Sequence, residues 1–580
     1  MAVLTFSNVA GNFVNPSFPT LFSAANLTAT DTLREIGTAP TASNYLYAIG
    51  GAGFTYGMSG EFTAGTVTSF TATNAGTLEF SITGLDLAAV DFQDLLTPQF
   101  GMPSETLLLQ VVLNGDDSIF GTTLDDSFRG NNGNDFLVGD EGNDTLIGDD
   151  GDDFIIGWLG ADSIGGEDGF DTAQYTFSDA AINVDLAAET GFGGHAEGDI
   201  LSQVENVLGS AFNDTLRGGT FQNYFNGGGG DDDIDGRTGE DNVEAGDGED
   251  TVIGGAGNDT LSGEAGADVL RGGDDNDRLE GGSSPDTLQG GLGMDTIDGG
   301  TALDTLDYTD RVDGGVNVNV INGVALTGGV VNAAGFYQGG AQEDSIVNLE
   351  WINGTNFADR LIAGSTSARI EGRGGNDFLF TFSGNDTIFG GAGNDFISTA
   401  RSSDILNGEA GNDTLNGGTG LDTLNGGADR DTADYSDRAG AVSVNLGSGI
   451  AVTGGALNAS GFYIGGFTED SLVSIENVTG SAFGDRLVGS GAGSFIAGGG
   501  GGDSIASFSG ADTIAGGEGN DTAAGGAGND RFFFSVGGDA DTITDFSAGA
   551  AVGDVLKFFG FGAALDSFAE VMAASTQVGA

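Results

Sequence analysis

Carboxylates at a fixed interval are the chemistry this chain offers most plainly. Asp117, Asp126, Asp135, Asp144, Asp153, Asp162 and Asp171 stand nine residues apart without a break. A second series holds Asp214, Asp232, Asp241, Asp250, Asp259, Asp268, Asp277, Asp286, Asp295 and Asp304. A third holds Asp359, Asp377, Asp386, Asp395, Asp404, Asp413, Asp422 and Asp431, and a fourth Asp485, Asp503, Asp512, Asp521 and Asp530. Only Asn223, Ala368 and Ser494 depart from the type, so thirty of thirty-three places are Asp. The phase is not accidental. Carboxylates are hard oxygen donors, and the glycines around them leave main-chain carbonyls unobstructed. Such a set suits Ca²⁺, which takes six to eight oxygens at about 2.3–2.6 Å. One turn supplies half of that set, and the turn one coil along supplies the rest. An ion shared by two turns couples binding to folding. Without it, stacked Asp rows repel and the chain expands.

These donors need elements that stack them. If the Asp takes the sixth place of a nonapeptide, the eighth is apolar: Ile119, Phe128, Leu137, Leu146, Ile155 and Ile164 in the first series. Leu261, Leu270, Leu279, Leu288, Ile297 and Leu306 continue the pattern in the second. One apolar residue flanked by polar neighbours predicts a three-residue strand with its middle side chain inward. The other six residues, Gly-Gly-x-Gly-x-Asp, form a turn. Strand and turn in alternation coil into a solenoid of short parallel strands, two nonapeptides per coil, around a thin core.

Gly254-Gly255-Ala256-Gly257-Asn258-Asp259-Thr260-Leu261-Ser262 and Gly390-Gly391-Ala392-Gly393-Asn394-Asp395-Phe396-Ile397-Ser398 fit one consensus at every place. It resembles the signature of the RTX, or hemolysin-type, calcium-binding repeat. The resemblance spans roughly residues 113 to 535 with the intervening inserts. It implies an all-β chain, a parallel β-roll or β-helix solenoid with Ca²⁺ between successive turns, and a type I-secreted protein. With each ion held by repeats n and n+2, the arrays hold roughly 20–25 ions. All thirty Asp residues above are the expected metal ligands, and the net charge of −70 becomes a ligand inventory. Each of Asn223, Ala368 and Ser494 falls in the second repeat after an insert, where a weak or absent Ca²⁺ site is expected.

Nine segments follow: a β-rich N-terminal domain over 1–112; repeat blocks over 113–174, 210–307, 355–434 and 481–535; β inserts over 175–209, 308–354 and 435–480; and a C-terminal secretion-type segment over 536–580. The inserts begin alike, at Asp171-Thr172-Ala173-Gln174-Tyr175, Asp304-Thr305-Leu306-Asp307-Tyr308 and Asp431-Thr432-Ala433-Asp434-Tyr435. Each runs through alternating strands to a Gly-Ser or Gly-Thr, and reads as wider β-coils that continue the solenoid. In the N-terminal region, Thr66–Thr71 and Thr77–Ile82 read as a hairpin. The stretches Asp530-Arg531-Phe532-Phe533-Phe534 and Asp554-Val555-Leu556 resemble the terminal segment of type I-secreted members of the family, which ends here without a closing strand. Such a segment implies passage through a type I exporter. The basic and apolar regions of a cleaved N-terminal leader are not visible, and no apolar run approaches the ~20 residues of a membrane span.

Composition narrows the function. With 86 acidic and 16 basic residues the chain is not built to hold nucleic acid, and adhesion to anionic lipid is disfavoured too. The 109 glycines have no Gly-X-Y period, which excludes collagen. Cys is absent, and a single His, His195, cannot form a two-His zinc helix. No Ser has Gly on both sides at two-residue spacing, so the lipase elbow is missing. His195 reads as a surface-loop residue in Gly193-Gly194-His195-Ala196-Glu197. A pore-forming cytolysin of this family would carry apolar helices and an acylated internal Lys; the one Lys here is Lys557. The expectation is a secreted, non-enzymatic calcium-binding protein with a structural, adhesion or surface role. The alternative is a secreted enzyme with its activity in the N-terminal region.

Overall fold

The computed structural model describes residues 115–559 apart from 313, 365–366, 458–462, 492, 536–539 and 548–552; of residues 1–114 it describes only strand backbone. Most of the expected N-terminal domain and of the C-terminal segment therefore lies outside the described residues. The expected hairpin is present as backbone, with Thr66–Asn74 antiparallel to Thr77–Leu87 and Asn74 opposite Thr77. The chain forms two compact units, Met1–Ala302 and Leu303–Ala580.

In the first unit, strands alternate between two parallel sheets. Asn242–Asp247, Thr260–Ala265 and Arg278–Ser283 stack in one sheet, while Thr251–Ala256, Val269–Asp274 and Thr287–Leu292 stack in the other. Each strand pairs with the one eighteen residues on, so eighth-place residues form columns. Val243, Leu261 and Leu279 face one another along one sheet, and Val252, Leu270 and Leu288 along the other. All six are fully buried. This is the thin core, one apolar residue from each side of every coil, and burial of these columns is what holds the two sheets face to face. The second unit repeats the scheme with Thr387–Ala392, Ile405–Ala410 and Thr423–Ala428 in one sheet and Phe378–Phe380, Phe396–Ser398 and Thr414–Asn416 in the other. Among the described residues the only helical piece is a single turn, Gly194–Ala196.

Two local features differ from expectation. Many strands run six residues rather than three, because the ladder skips the first-place glycine and resumes beyond it: Ser262 pairs with Glu280, then Glu264 with Gly282. The skipped residue, Gly263, lies against the turn's carboxylate; a Cβ there would come within 2.4 Å of Asp268 Oδ2. The inserts are also more than widened coils. Each has strands that continue the parallel ladder, such as Asn206–Leu208 between Thr172–Gln174 and Tyr224–Asn226. Each also has an antiparallel arm: Thr190–Phe192 in the first, Val324–Val331 with Tyr337–Val347 in the second, Ile450–Leu457 with Tyr463–Val473 in the third. An antiparallel arm needs only a short reversal, whereas a parallel return needs a full coil.

Candidate metal centre

The typical sixth-place Asp is fixed at both ends of its residue. Its carbonyl accepts from the strand one coil on, as Asp259 does from Arg278 N at 2.8 Å. Its Oδ1 accepts the N–H of the Asp one coil back: Asp241 N to Asp259 Oδ1 at 2.8 Å, Asp250 N to Asp268 Oδ1 at 2.9 Å, Asp259 N to Asp277 Oδ1 at 2.9 Å. The same ladder joins Asp377 to Asp395 and Asp395 to Asp413 in the second unit, at 2.8 Å each. A carboxylate row thus runs along each edge where the two sheets meet.

The second oxygen is different. Oδ2 of Asp135, Asp144, Asp153, Asp162 and Asp171, and of Asp232, Asp241, Asp250, Asp259, Asp268 and Asp277, is buried without a hydrogen-bond donor. The same holds at Asp377, Asp395, Asp413, Asp422, Asp431, Asp503 and Asp530. Leaving a buried carboxylate oxygen unsatisfied is costly. Each faces into a cradle: a Cβ added at Gly254 would lie 2.4 Å from Asp259 Oδ2 and 2.8 Å from the carbonyl oxygen of Gly272, and one at Gly390 2.4 Å from Asp395 Oδ2 and 2.9 Å from Gly408 O. A carboxylate oxygen and a main-chain carbonyl from the next coil converge where only glycine leaves room. Such a recess fits a hard cation.

Electrostatics point the same way. Burial, with neighbouring carboxylates adding to it, pushes the carboxyls of Asp232 and Asp277 up to about 8 against the backbone N–H that steadies each. Burial likewise lifts Asp259 to about 6 and Asp377 to about 10. The chain alone cannot comfortably hold this much buried negative charge; protons or cations must relieve it. Among the described residues no three His, Cys, Asp or Glu side chains gather at one point. The donors are one carboxylate per turn with main-chain oxygens, the kind of set Ca²⁺ accepts.

Not all thirty expected ligands are alike. Asp126, Asp214, Asp359 and Asp485 have their Oδ2 taken, by the N–H of Thr122, Ser210, Thr355 and Ser481 respectively. Asp117, Asp286, Asp295, Asp304, Asp386, Asp404, Asp512 and Asp521 are buried in the same rows. At the three departures, the Asn223 amide oxygen accepts from Gly219 N at 2.9 Å, Ser494 Oγ accepts from Ser490 N at 3.1 Å, and Ala368 offers no donor atom.

Six carboxylates in the inserts extend the rows and escape a search for nine-residue spacing. Asp199 Oδ1 accepts from Asp162 N at 2.8 Å, and Asp470 Oδ1 from Asp422 N at 3.2 Å; Asp344 is the equivalent residue of the second insert. Glu205, Glu350 and Glu476 accept from the N–H of Asp171, Asp304 and Asp431 at 3.0–3.2 Å. The signal was a carboxylate two residues before a buried apolar one, as in Asp470-Ser471-Leu472 and Glu476-Asn477-Val478, with the pair six residues apart instead of nine. Asp541 and Asp554 do the same for Asp521 and Asp530. His195 is a correction: it is buried, not a surface-loop residue. Its ring packs 5.3 Å from Trp158, and its backbone N–H donates to Ser178 Oγ.

Among protein families, that of the RTX calcium-binding nonapeptide repeat matches the chain in segments over residues 113–173, 208–306, 362–397, 400–433 and 507–543. No curated protein matches it. No helix among the described residues is long and apolar enough to cross a membrane. The matched segments are the stretches in which the structure lines up cradle after cradle, and the repeats of this family bind Ca²⁺. The chain is an RTX-type calcium-binding repeat protein.

Proposed function

We propose that this is a secreted, non-enzymatic protein whose repeat arrays fold when they take up Ca²⁺ outside the cell, there to serve a structural, adhesive or surface role. The observation that carries the reading is the row of buried Asp Oδ2 atoms without donors. The ligands are the Asp residues of those rows, with main-chain oxygens of the cradles. The bound ion supplies the positive charge and the coordination that the recess lacks, and joins each turn to the next.

A set of this kind tuned to the 10⁻⁴–10⁻³ M range of extracellular modules stays empty at cytosolic Ca²⁺. The chain would then cross a type I exporter extended, helped by the absence of Cys, and fold on reaching millimolar Ca²⁺. Proteins with RTX repeats are typically secreted, which accords with this. The test is far-UV circular dichroism over a Ca²⁺ titration, reversed with EDTA. A β-sheet spectrum should develop with Ca²⁺ and vanish with EDTA; a spectrum already β-rich in EDTA, or indifferent to millimolar Ca²⁺, refutes coupled folding.

A further inference from the structure

The turns that carry no open carboxylate oxygen are not scattered. After each insert comes one coil whose first turn is closed by the chain itself and whose second turn lacks the carboxylate. In the first unit these are the turns of Asp214 and Asn223; in the second, those of Asp359 and Ala368, and of Asp485 and Ser494.

Asp214 shows the device. Ser210 N donates to its Oδ2 at 2.5 Å, while Ser210 Oγ and Ile182 N donate to its Oδ1 at 2.8 Å each. Asp359 is held in the same way by Thr355 and Val316, and Asp485 by Ser481 and Val442. The hydroxyl in turn accepts from the N–H of Phe212, Phe357 or Phe483. Protons of the chain thus take up the carboxylate that elsewhere faces an open cradle. The motif reads Gly-Ser/Thr-x-Phe-x-Asp, and Gly121-Thr122-Thr123-Leu124-Asp125-Asp126 is its counterpart near the start of the first array.

Backbone conformation separates the two kinds of turn independently. In the turns ending at Asp135 through Asp171 and at Asp232 through Asp295, the second and fourth places have positive φ whatever residue stands there: +73° at Trp158, +71° at Arg237, +79° at Asp275. That left-handed geometry is unfavourable for such side chains, so the open turn imposes it. At Ser210, Thr355 and Ser481, and at Phe212, Phe357 and Phe483, φ is not positive. These turns have another shape.

The opposite border of each insert is closed by a different hydroxyl. The buried Tyr175, Tyr308 and Tyr435 donate to Oδ2 of Asp199, Asp344 and Asp470 at 2.8–2.9 Å. In the first unit, Arg237, in the turn of Asp241, adds a two-pronged grip on Asp185 and a bond to Gly218 O, tying the insert and its following coil to the coil beyond.

We infer that each insert together with its following coil is a calcium-independent island, bordered by hydroxyl donors in place of ions, and that the islands divide the arrays into separately calcium-dependent stretches. The inference rests on the calcium reading above. Its test uses the full chain and Ca²⁺ itself. Hydrogen exchange in EDTA should leave amides of 182–217, 442–457 and 463–488 at least about tenfold more protected than those of 242–292, whereas saturating Ca²⁺ should protect all of them. In parallel, equilibrium dialysis should find as many ions on Asp214→Asn as on the unaltered chain, and about one or two fewer on Asp259→Asn. Equal losses in the two variants, or islands that exchange in EDTA as fast as 242–292, overturn the island proposal. If Asp259→Asn loses nothing, the calcium assignment beneath it fails instead.

Discussion

An open-turn Asp in this chain has one oxygen spoken for and one buried without a donor. Asp259 illustrates the division: Oδ1 receives Asp241 N, and Oδ2 faces the Gly254–Gly272 cradle. The raised carboxyls give this a pH signature. Asp259 and Asp277 move from an ordinary 3.8 to about 6 and about 8 in the ion-free fold, chiefly by burial. The folded chain therefore binds more protons than the unfolded one across that range. Their contribution to stability is complete below about pH 4 and is lost as pH rises through 6 to 8. Acid should stand in for Ca²⁺: in EDTA, β-sheet ellipticity is expected to grow between pH 8 and pH 4.5, and an ion-free chain equally unfolded at both would contradict the proton ledger. Mg²⁺ should not stand in. It requires a tight octahedron at about 2.0–2.1 Å and sheds water reluctantly, so millimolar Mg²⁺ in a Ca²⁺-free titration should leave the spectrum of the unfolded chain.

At the scale of the element, a strand here stabilises nothing alone; it offers one inward side chain and one ladder of main-chain bonds. Leu261 is fully buried between Val243 and Leu279 in its sheet. Leu261→Ala should cost the Ca²⁺-loaded protein about 2–5 kcal/mol, since the neighbouring coils can only partly close the cavity. Phe221, 74% exposed, is the control, and Phe221→Ser should stay within about 0.5 kcal/mol. Urea unfolding at saturating Ca²⁺ measures both. The period of nine and the apolar eighth place made these strands legible in the sequence. Their length was not, because the ladder skips Gly263 and resumes beyond it, a consequence of Asp268 Oδ2 occupying the space beside that glycine. The antiparallel arms of the inserts were not legible either, since alternation looks the same in a parallel coil and in a hairpin.

For the whole molecule, the charge of −70 is the quantity that must be managed. Salt and Ca²⁺ manage it differently. At 1 M salt the screening length is about 3 Å, so NaCl in EDTA should contract the unfolded chain in light scattering yet leave it without β-sheet ellipticity, because screening supplies no ligand to a buried Oδ2. Folding by NaCl alone would mean that repulsion, not coordination, is what Ca²⁺ relieves. The sequence by itself determined the repeat, the core columns, the thirty carboxylates and the ion they suit, because each depends on residue type at a fixed interval. Only the tertiary structure decided which carboxylates have an oxygen to give. Asp214 and Asp259 occupy the same place in the same repeat, but Ser210 folds its hydroxyl and N–H onto one of them, and the other meets a bare glycine. Nor could spacing reveal that Asp199, Asp344 and Asp470 join the rows with Tyr hydroxyls against them, since insert and array come into register only when the coils stack. Periodicity fixes what every turn contains; hydrogen bonding within and between turns settles which carboxylate oxygens are left without a donor.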